Sequence, residues 1–180
     1  MRWFYWSWKN FISIENIKKI NKKIKNNKLK LKDSKANSFK NCTVNFIEYK
    51  KIENLLNNWE QTIRMCNNEN FGLTLFPSFN EGILHQNIYS KNNEYRWHID
   101  VNSKDDLHDY KFTSILNISE KKYKGGSFQI KYEEHPTTII ELTNPGDMIM
   151  IRSNILHRVT PVTQGNRQSL TMFLKGPKFQ

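Results

Sequence analysis

Apolar positions along this 180-residue chain follow two different periods, and the change between them falls near residue 70. Ahead of it, Ile14, Ile17, Ile20 and Ile24 recur every three or four residues behind Ser13, a good N-cap residue. That spacing predicts an amphipathic helix over 13–26 with its lysines outward. Ile52, Leu55, Leu56, Trp59, Ile63 and Cys66 repeat the pattern and predict a second helix over 50–67. Between the two, Cys42-Thr43-Val44-Asn45-Phe46-Ile47 has strand composition, and the Lys- and Asn-rich stretch before it reads as loop. From residue 71 onward, short runs rich in Ile, Phe, Tyr and Thr follow one another, around 71–76, 82–89, 94–100, 111–118, 126–132, 137–142, 147–152 and 167–174. Turn signals separate them, clearest in Asn144-Pro145-Gly146-Asp147, where Pro presets the bend and Gly can take positive φ. The pattern predicts a mainly β fold, an antiparallel sandwich or double-sheet barrel, with the N-terminal helices packed against it. Length and the absence of a visible repeat or linker predict one domain over 1–180, with a helical N-terminal region over 1–70 and a β core over 71–177.

Composition adds little to that architecture and narrows the setting. Apolar residues at 37% and aromatics at 13% suffice to close a core, while a mean hydropathy of −0.73 describes a very polar surface. The net charge of +11 is concentrated early, in Lys18, Lys19, Lys22, Lys23, Lys25, Lys28, Lys30 and Lys32, which makes nucleic acid a weakly supported partner. A solvated helix face in a Lys- and Asn-rich chain explains the same run. Cys42 and Cys66 form no C-x-x-C pair and read as buried free thiols of a reducing compartment. The aromatic run Trp3 to Trp8 falls far short of the roughly 20 apolar residues of a membrane span, so the expectation is a cytoplasmic protein with no membrane partner.

Candidate chemistry begins on Tyr95-Arg96-Trp97-His98-Ile99-Asp100, where period-two alternation turns His98 and Asp100 to one strand face. His157, just beyond the strand-like stretch 147–151, supplies a third ligand type. Two imidazoles and one carboxylate leave three positions open on an octahedral ion, the arrangement in which Fe(II) takes a chelating co-substrate together with O2. A His near an Asp is by itself more often a surface pair. Arg167 follows ten residues after His157, with Ser169 on the same strand face, and a planar guanidinium holds a carboxylate through two bonds as Lys cannot. Tyr95, Trp97 and Asn102 are candidates for a substrate pocket, although strand aromatics more often serve sheet packing. His85 shares its alternation with Asn87 and Tyr89, and reads either as facing the same cavity or as a structural histidine. Gly125 and Gly126 suggest a sharp turn or bulge, and His108 and His135 fall in polar loops without an assigned role.

In this order the residues resemble the double-stranded β-helix (jelly-roll, cupin-like) 2-oxoglutarate oxygenases, and more narrowly their prolyl-4-hydroxylase-like branch, which includes the PKHD-type hydroxylases. The branch's Tyr-x-x-His-x-Asp strand is matched by Tyr95, His98 and Asp100, its glycine pair by Gly125 and Gly126, and its Pro-Gly-Asp turn by Pro145, Gly146 and Asp147. Leu156-His157-Arg158-Val159-Thr160-Pro161-Val162, followed by Gly165 and Arg167, is close to the bacterial hydroxylases of that branch. Residues 82–177 carry the resemblance well and the N-terminal helices loosely. It implies Fe(II) on His98, Asp100 and His157, 2-oxoglutarate on Arg167, Ser169 and Tyr89, O2 as the second co-substrate, and ascorbate as a further reductant. It also implies hydroxylation of a C–H bond of a prolyl or other amino-acid residue, peptidyl or free, so that the substrate is a small molecule or a peptide. Succinate and CO2 are the by-products, and no catalytic side chain beyond the metal ligands is implied. The loop Val101 to Tyr110 is expected to form a lid or substrate wall. Animal and plant prolyl hydroxylases usually carry Lys where this chain has Arg167, so their substrates do not transfer. Oxidation of a nucleic-acid base and a non-catalytic cupin-like metal-binding barrel are the competing readings, and a zinc hydrolase lacks its helical H-E-x-x-H. Nothing in the pattern specifies the substrate or an oligomeric state.

Overall fold

Isoleucine periodicity and a serine cap produce the first helix, α1 (Ile14–Lys25). Ser13 is extended, and its Oγ accepts from the Asn16 N–H at 3.2 Å. Ile17, Ile20 and Ile24 are fully buried, each contributing about 1.5–3 kcal/mol of hydrophobic stabilisation. The computed structural model describes residues 4–26, 28–29, 39–77, 82–101, 107–132 and 135–179. The second predicted helix is interrupted. It runs as α2 (Tyr49–Ile52), a 3-10 turn over Glu53–Leu55, then α3 (Trp59–Cys66), and ends in a π-helical turn, Asn67–Phe71. Asn57 and Asn58 have φ of 49° and 55°, a left-handed backbone that breaks a right-handed helix between them. α3 is then tied to the sheet by Trp59, whose indole N–H donates to Ser114 Oγ at 2.8 Å inside the core.

The strands are β1 (Tyr5–Trp8), β2 (Lys28–Leu29), β3 (Lys40–Asn41), β4 (Thr43–Glu48), β5 (Ile83–Tyr89), β6 (Glu94–His98) and β7 (His108–Asn117). They continue as β8 (Lys124–Gly125), β9 (Phe128–Tyr132), β10 (His135–Thr138), β11 (Met148–Arg152), β12 (His157–Val159), β13 (Val162–Gln164) and β14 (Arg167–Pro177). Among the described residues, a seven-stranded antiparallel sheet has the order β1-β11-β7-β14-β5-β4-β2, and a five-stranded one the order β10-β9-β12-β6-β3. β13 and β8 form a separate pair. This is the jelly-roll arrangement expected from the sequence. The division near residue 70 does not separate helices from sheet, because β1 and β4 both join the larger sheet.

Alternation along β14 divides the interior in two. Leu170, Met172 and Leu174 face the helices in one apolar cluster, while Arg167, Ser169, Thr171 and Phe173 line a cavity between the sheets. A second apolar cluster, with Ile115, Phe128, Ile130, Ile149, Ile151 and Val159, fills the space around that cavity.

Three predicted segments differ. Residues 72–76 are not a strand: Phe71, Leu73 and Leu75 pack against the helix-side core, and Asn67 holds the turn by accepting from the Leu73 N–H at 2.9 Å. The run 137–142 leaves β10 at Thr138 and becomes a 3-10 turn, Ile140–Leu142. Of the expected lid, residues 102–106 lie outside the described residues, whereas His108, Asp109 and Tyr110 already belong to β7. The Asn144–Asp147 turn forms as expected, with Gly146 at φ 86° and the Asp147 N–H on Asn144 O at 3.1 Å. Among the described residues no helix is long and apolar enough to cross a membrane.

Candidate metal centre and co-substrate pocket

Antiparallel pairing of β6 and β12 sets His98 opposite His157, with ring centroids 4.1 Å apart. β6 ends at His98, so Asp100 lies beyond the strand on which it was expected. Its N–H donates to Ser153 O at 2.8 Å, and its carboxylate returns between the two rings. Asp100 Oδ1 is 3.5 Å from His98 Nε2, and Oδ2 is 3.2 Å from His157 Nε2. One ligand atom from each residue lies within 4.8 Å of the others, the separation that a single ion can span.

Hydrogen bonding prepares these atoms for a metal. His98 Nδ1 is 2.7 Å from Arg96 O and His157 Nδ1 is 2.8 Å from Ile155 O. A carbonyl only accepts, so both Nδ1 atoms carry the proton and both Nε2 lone pairs are left for coordination. Thr113 Oγ1 donates to Asp100 Oδ2 at 2.7 Å and is itself 3.1 Å from Ser153 Oγ, which holds the carboxylate from behind. Burial, reinforced by the His157 imidazole, pushes the His98 pKa down to about 4, so the ring is neutral. Burial alone would raise the Asp100 pKa, but the adjacent His157 and His98 imidazoles and the Thr113 hydroxyl outweigh it and hold the carboxyl below its ordinary value. Two imidazoles with their Nε2 atoms turned inward and one carboxylate fit a divalent first-row ion.

The second half of the pocket is built on the larger sheet. Arg167 and Tyr89 are cross-strand partners on β14 and β5. Arg167 is 1% exposed, and its Nη1 donates to Ser169 Oγ at 3.1 Å. Its Nε and Nη2 are buried without a hydrogen-bond partner among the described residues. An unpaired buried guanidinium is costly, so the chemistry of this end calls for an anion that can accept from both nitrogens. Tyr89 is buried, its ring centroid 5.5 Å from the Arg167 guanidinium and its hydroxyl hydrogen-bonded to the Cys42 thiol. Gly126 makes this packing possible: at φ 61°, an added Cβ would lie 3.1 Å from Arg167 Cδ and 2.9 Å from Val162 Cγ2.

The structure thus brings His98, Asp100 and His157 together at one end of a cavity whose wall also carries Arg167, Ser169 and Tyr89. Tyr95 joins them, stacked on the His98 ring at 3.4 Å between centroids. Trp97 does not: it is not among the cavity's lining residues and carries the Arg158 guanidinium 4.6 Å over its ring. Trp97 takes the strand face opposite its neighbour His98, whereas a register shift between β6 and β12 accompanies the placing of Tyr95 on the cavity side. Asn102 lies outside the described residues. His85 lines the cavity in edge contact with Phe46 and Phe173, and burial pushes its pKa down to about 4. Cys66 is buried, but Cys42, expected to be so, is only half-buried.

Several lining residues carry little signal in the sequence. Thr113 stands in an apolar run, where a lone inward hydroxyl is the available sign. Lys40, 4.9 Å over the Tyr95 ring, is masked by the Lys- and Asn-rich composition around it. Asn87, buried and donating to Thr171 Oγ1 at 3.0 Å, gives no local signal beyond its alternation with Tyr89.

Comparison with known proteins agrees with this geometry. Residues 84–175 match the family model described as the 2OG-Fe(II) oxygenase superfamily. A PKHD-type hydroxylase of Synechococcus sp. (strain CC9605) is 37% identical over 79 residues, 43% of this chain and 35% of its own length. The match therefore spans about a third of that curated relative. Among solved structures, a Pseudomonas putida prolyl-4-hydroxylase superposes with a TM-score of 0.74 at 16% identity, covering 97% of this chain and 93% of its own. The viral collagen prolyl hydroxylase of Paramecium Bursaria Chlorella virus-1, in its 2OG complex, gives 0.70 at 15% identity, covering 97% of each chain. A Trichoplax adhaerens prolyl hydroxylase, in complex with a hypoxia inducible factor oxygen degradation domain peptide fragment, gives 0.68 at 13%, covering 94% and 82%.

Proposed function

This chain belongs to the 2OG-Fe(II) oxygenase superfamily, and from that premise we propose that it hydroxylates a C–H bond of a prolyl or other amino-acid residue, peptidyl or free. The observation that carries the reading is the buried Arg167, whose Nε and Nη2 lack an acceptor, in the cavity that also holds the three-residue metal cluster.

His98, Asp100 and His157 would hold Fe(II), and Arg167, assisted by Ser169 and Tyr89, would hold the distal carboxylate of 2-oxoglutarate. When bound, the metal and co-substrate supply oxidising power from O2, with succinate and CO2 as by-products. Everything else is positioning. Thr113 and Ser153 fix the Asp100 carboxylate, the Arg96 and Ile155 carbonyls fix the two imidazole tautomers, and Tyr95 seats the His98 ring. Phe128 and Val159 help to exclude water from the cavity. A peptide or amino-acid substrate accords with the hydroxylase names of the relatives and with the peptide carried by the Trichoplax enzyme. The lysines of α1 do not favour a nucleic-acid substrate, since that helix packs on the far side of the larger sheet from the cavity.

The test is turnover of 2-oxoglutarate to succinate by Fe(II)-loaded protein, screened over amino acids, prolyl peptides and oligonucleotides. Substrate-stimulated succinate with one amino-acid or peptide class is expected, and Asp100→Ala should abolish both turnover and metal retention. No succinate under any condition, together with unchanged metal and 2-oxoglutarate binding in Asp100→Ala, would sink the reading.

A further inference from the structure

Among the described residues, two cations line the cavity that holds the metal cluster, and they come from opposite sheets. Arg167 belongs to β14 of the larger sheet, whereas Lys40 belongs to β3, the edge strand of the smaller one. Strand pairing sets Lys40 against Tyr95 of β6. Its Nζ lies 4.9 Å over the Tyr95 ring, and that ring is in turn stacked on His98. Lys40 therefore stands two side-chain contacts from a metal ligand, on the other wall from the co-substrate anchor.

The charges on this lining are uneven. Against Lys40 and Arg167 the described lining residues supply one carboxylate, Asp100. A divalent ion and the 2-oxoglutarate dianion cancel one another, so the excess of one positive charge persists when both are bound. The free Nε and Nη2 of Arg167 account for the distal carboxylate, which leaves the excess on the Lys40 wall. Lys40 is half-buried, unlike the fully buried Arg167. Burial lowers its pKa against the pull of Cys42 and Asp100, and a further carboxylate beside it would offset that penalty. Burial, with the Lys40 charge added to it, also lowers the His85 and His98 pKa values, so the field of this ammonium extends over both the β5 wall and the metal end.

Resting on the hydroxylase reading above, we propose that Lys40 holds the α-carboxylate of the molecule to be oxidised, so that the substrate is a free amino acid or the last residue of a peptide. An ammonium is a compact point charge with three donors, which suits a carboxylate held at one end, whereas the fork of Arg167 suits two parallel bonds. A carboxylate fixed on Lys40 leaves the substrate's side chain to reach past Tyr95 toward the metal cluster. A residue within a chain offers a neutral amide at that place and leaves the ammonium unmatched in the filled cavity. Lys40 in this reading sets specificity and takes no part in proton transfer.

Calorimetric titration of the Zn(II)-loaded full chain at saturating 2-oxoglutarate, a state without turnover, tests this with the proteinogenic amino acids and their α-amides. At least one acid should bind about tenfold or more tightly than its amide. Lys40→Met should remove that preference, Lys40→Arg should keep part of it, and 2-oxoglutarate affinity should change far less than acid affinity. Glycyl dipeptides ending in the preferred residue then tell a free amino acid from a C-terminal one. The proposal is overturned by equal affinity for acid and amide, by binding of neither, by a preference that survives Lys40→Met, or by an equal loss of 2-oxoglutarate affinity, which would place Lys40 on the co-substrate. Succinate assays separate this outcome from that of the hydroxylase reading. Stimulation by a prolyl peptide blocked at its C-terminus, and by no free acid, keeps that reading and overturns this proposal; no succinate from any substrate counts against that reading and leaves the binding preference to decide this one.

Discussion

Replacing Arg167 with methionine separates a co-substrate anchor from a structural arginine by the sign of its effects. Arg167 is 1% exposed, and two of its three guanidinium nitrogens, Nε and Nη2, have no partner among the described residues. A dicarboxylate end accepting from both would make two charge-assisted hydrogen bonds worth about 1.5–3 kcal/mol each, and breaking a buried ion pair costs about 3–5 kcal/mol. Taking about 4 kcal/mol, Arg167→Met should weaken 2-oxoglutarate on the order of 1,000-fold. The variant's stability without co-substrate should move the other way or not at all, since a buried unpaired cation is exchanged for an apolar chain of similar length. Thermal unfolding of metal-loaded protein with and without 2-oxoglutarate measures both quantities: the wild-type chain should gain stability with ligand and the variant should not. Retention of 2-oxoglutarate affinity within about tenfold of wild type, or collapse of the ligand-free fold, would refute the assignment.

Thr113→Val removes the 2.7 Å hydrogen bond to Asp100 at nearly constant volume, and should lower metal affinity or turnover by about 10–100-fold, read by metal titration. Gly126→Ala places a Cβ 3.1 Å from Arg167 Cδ at φ 61°, so the KM for 2-oxoglutarate should rise several-fold, along with a stability loss of about 1–2 kcal/mol in denaturant unfolding; an unchanged KM would count against Gly126 as the support of the anchor. His85 is held near pKa 4 by burial, below its unfolded value near 6.5, so only the unfolded chain protonates as pH falls through that interval. Stability should therefore decline from about pH 6.5 toward 4, and His85→Leu should show a shallower decline in unfolding curves taken across that range.

Local pattern was a good guide wherever the structure depends on a short window. Ser13 and four isoleucines announced α1 within a residue of its bounds, and the Pro-Gly turn before Asp147 was legible from residue type alone. The same windows misled where an apolar run had another way to be buried. Residues 72–76 pack on the helix-side core without pairing, and Asn57 and Asn58 broke a helix whose apolar stripe continues on both sides.

The sequence by itself determined the chemical identities and order of His98, Asp100, His157 and Arg167, because donor type is a property of the residue and the order of motifs is a property of the chain. Tertiary structure alone decided how they meet. Pairing of β6 with β12 put two imidazoles side by side, a contact to Ser153 brought Asp100 back to them after its strand had ended, and β5 set Tyr89 beside Arg167. It also recruited Thr113 and Lys40 and turned Trp97 away. These are matters of register between segments far apart in sequence. No window of ten or twenty residues contains both partners, so periods of 2 and 3.6 can say which face a side chain takes but not what stands opposite it.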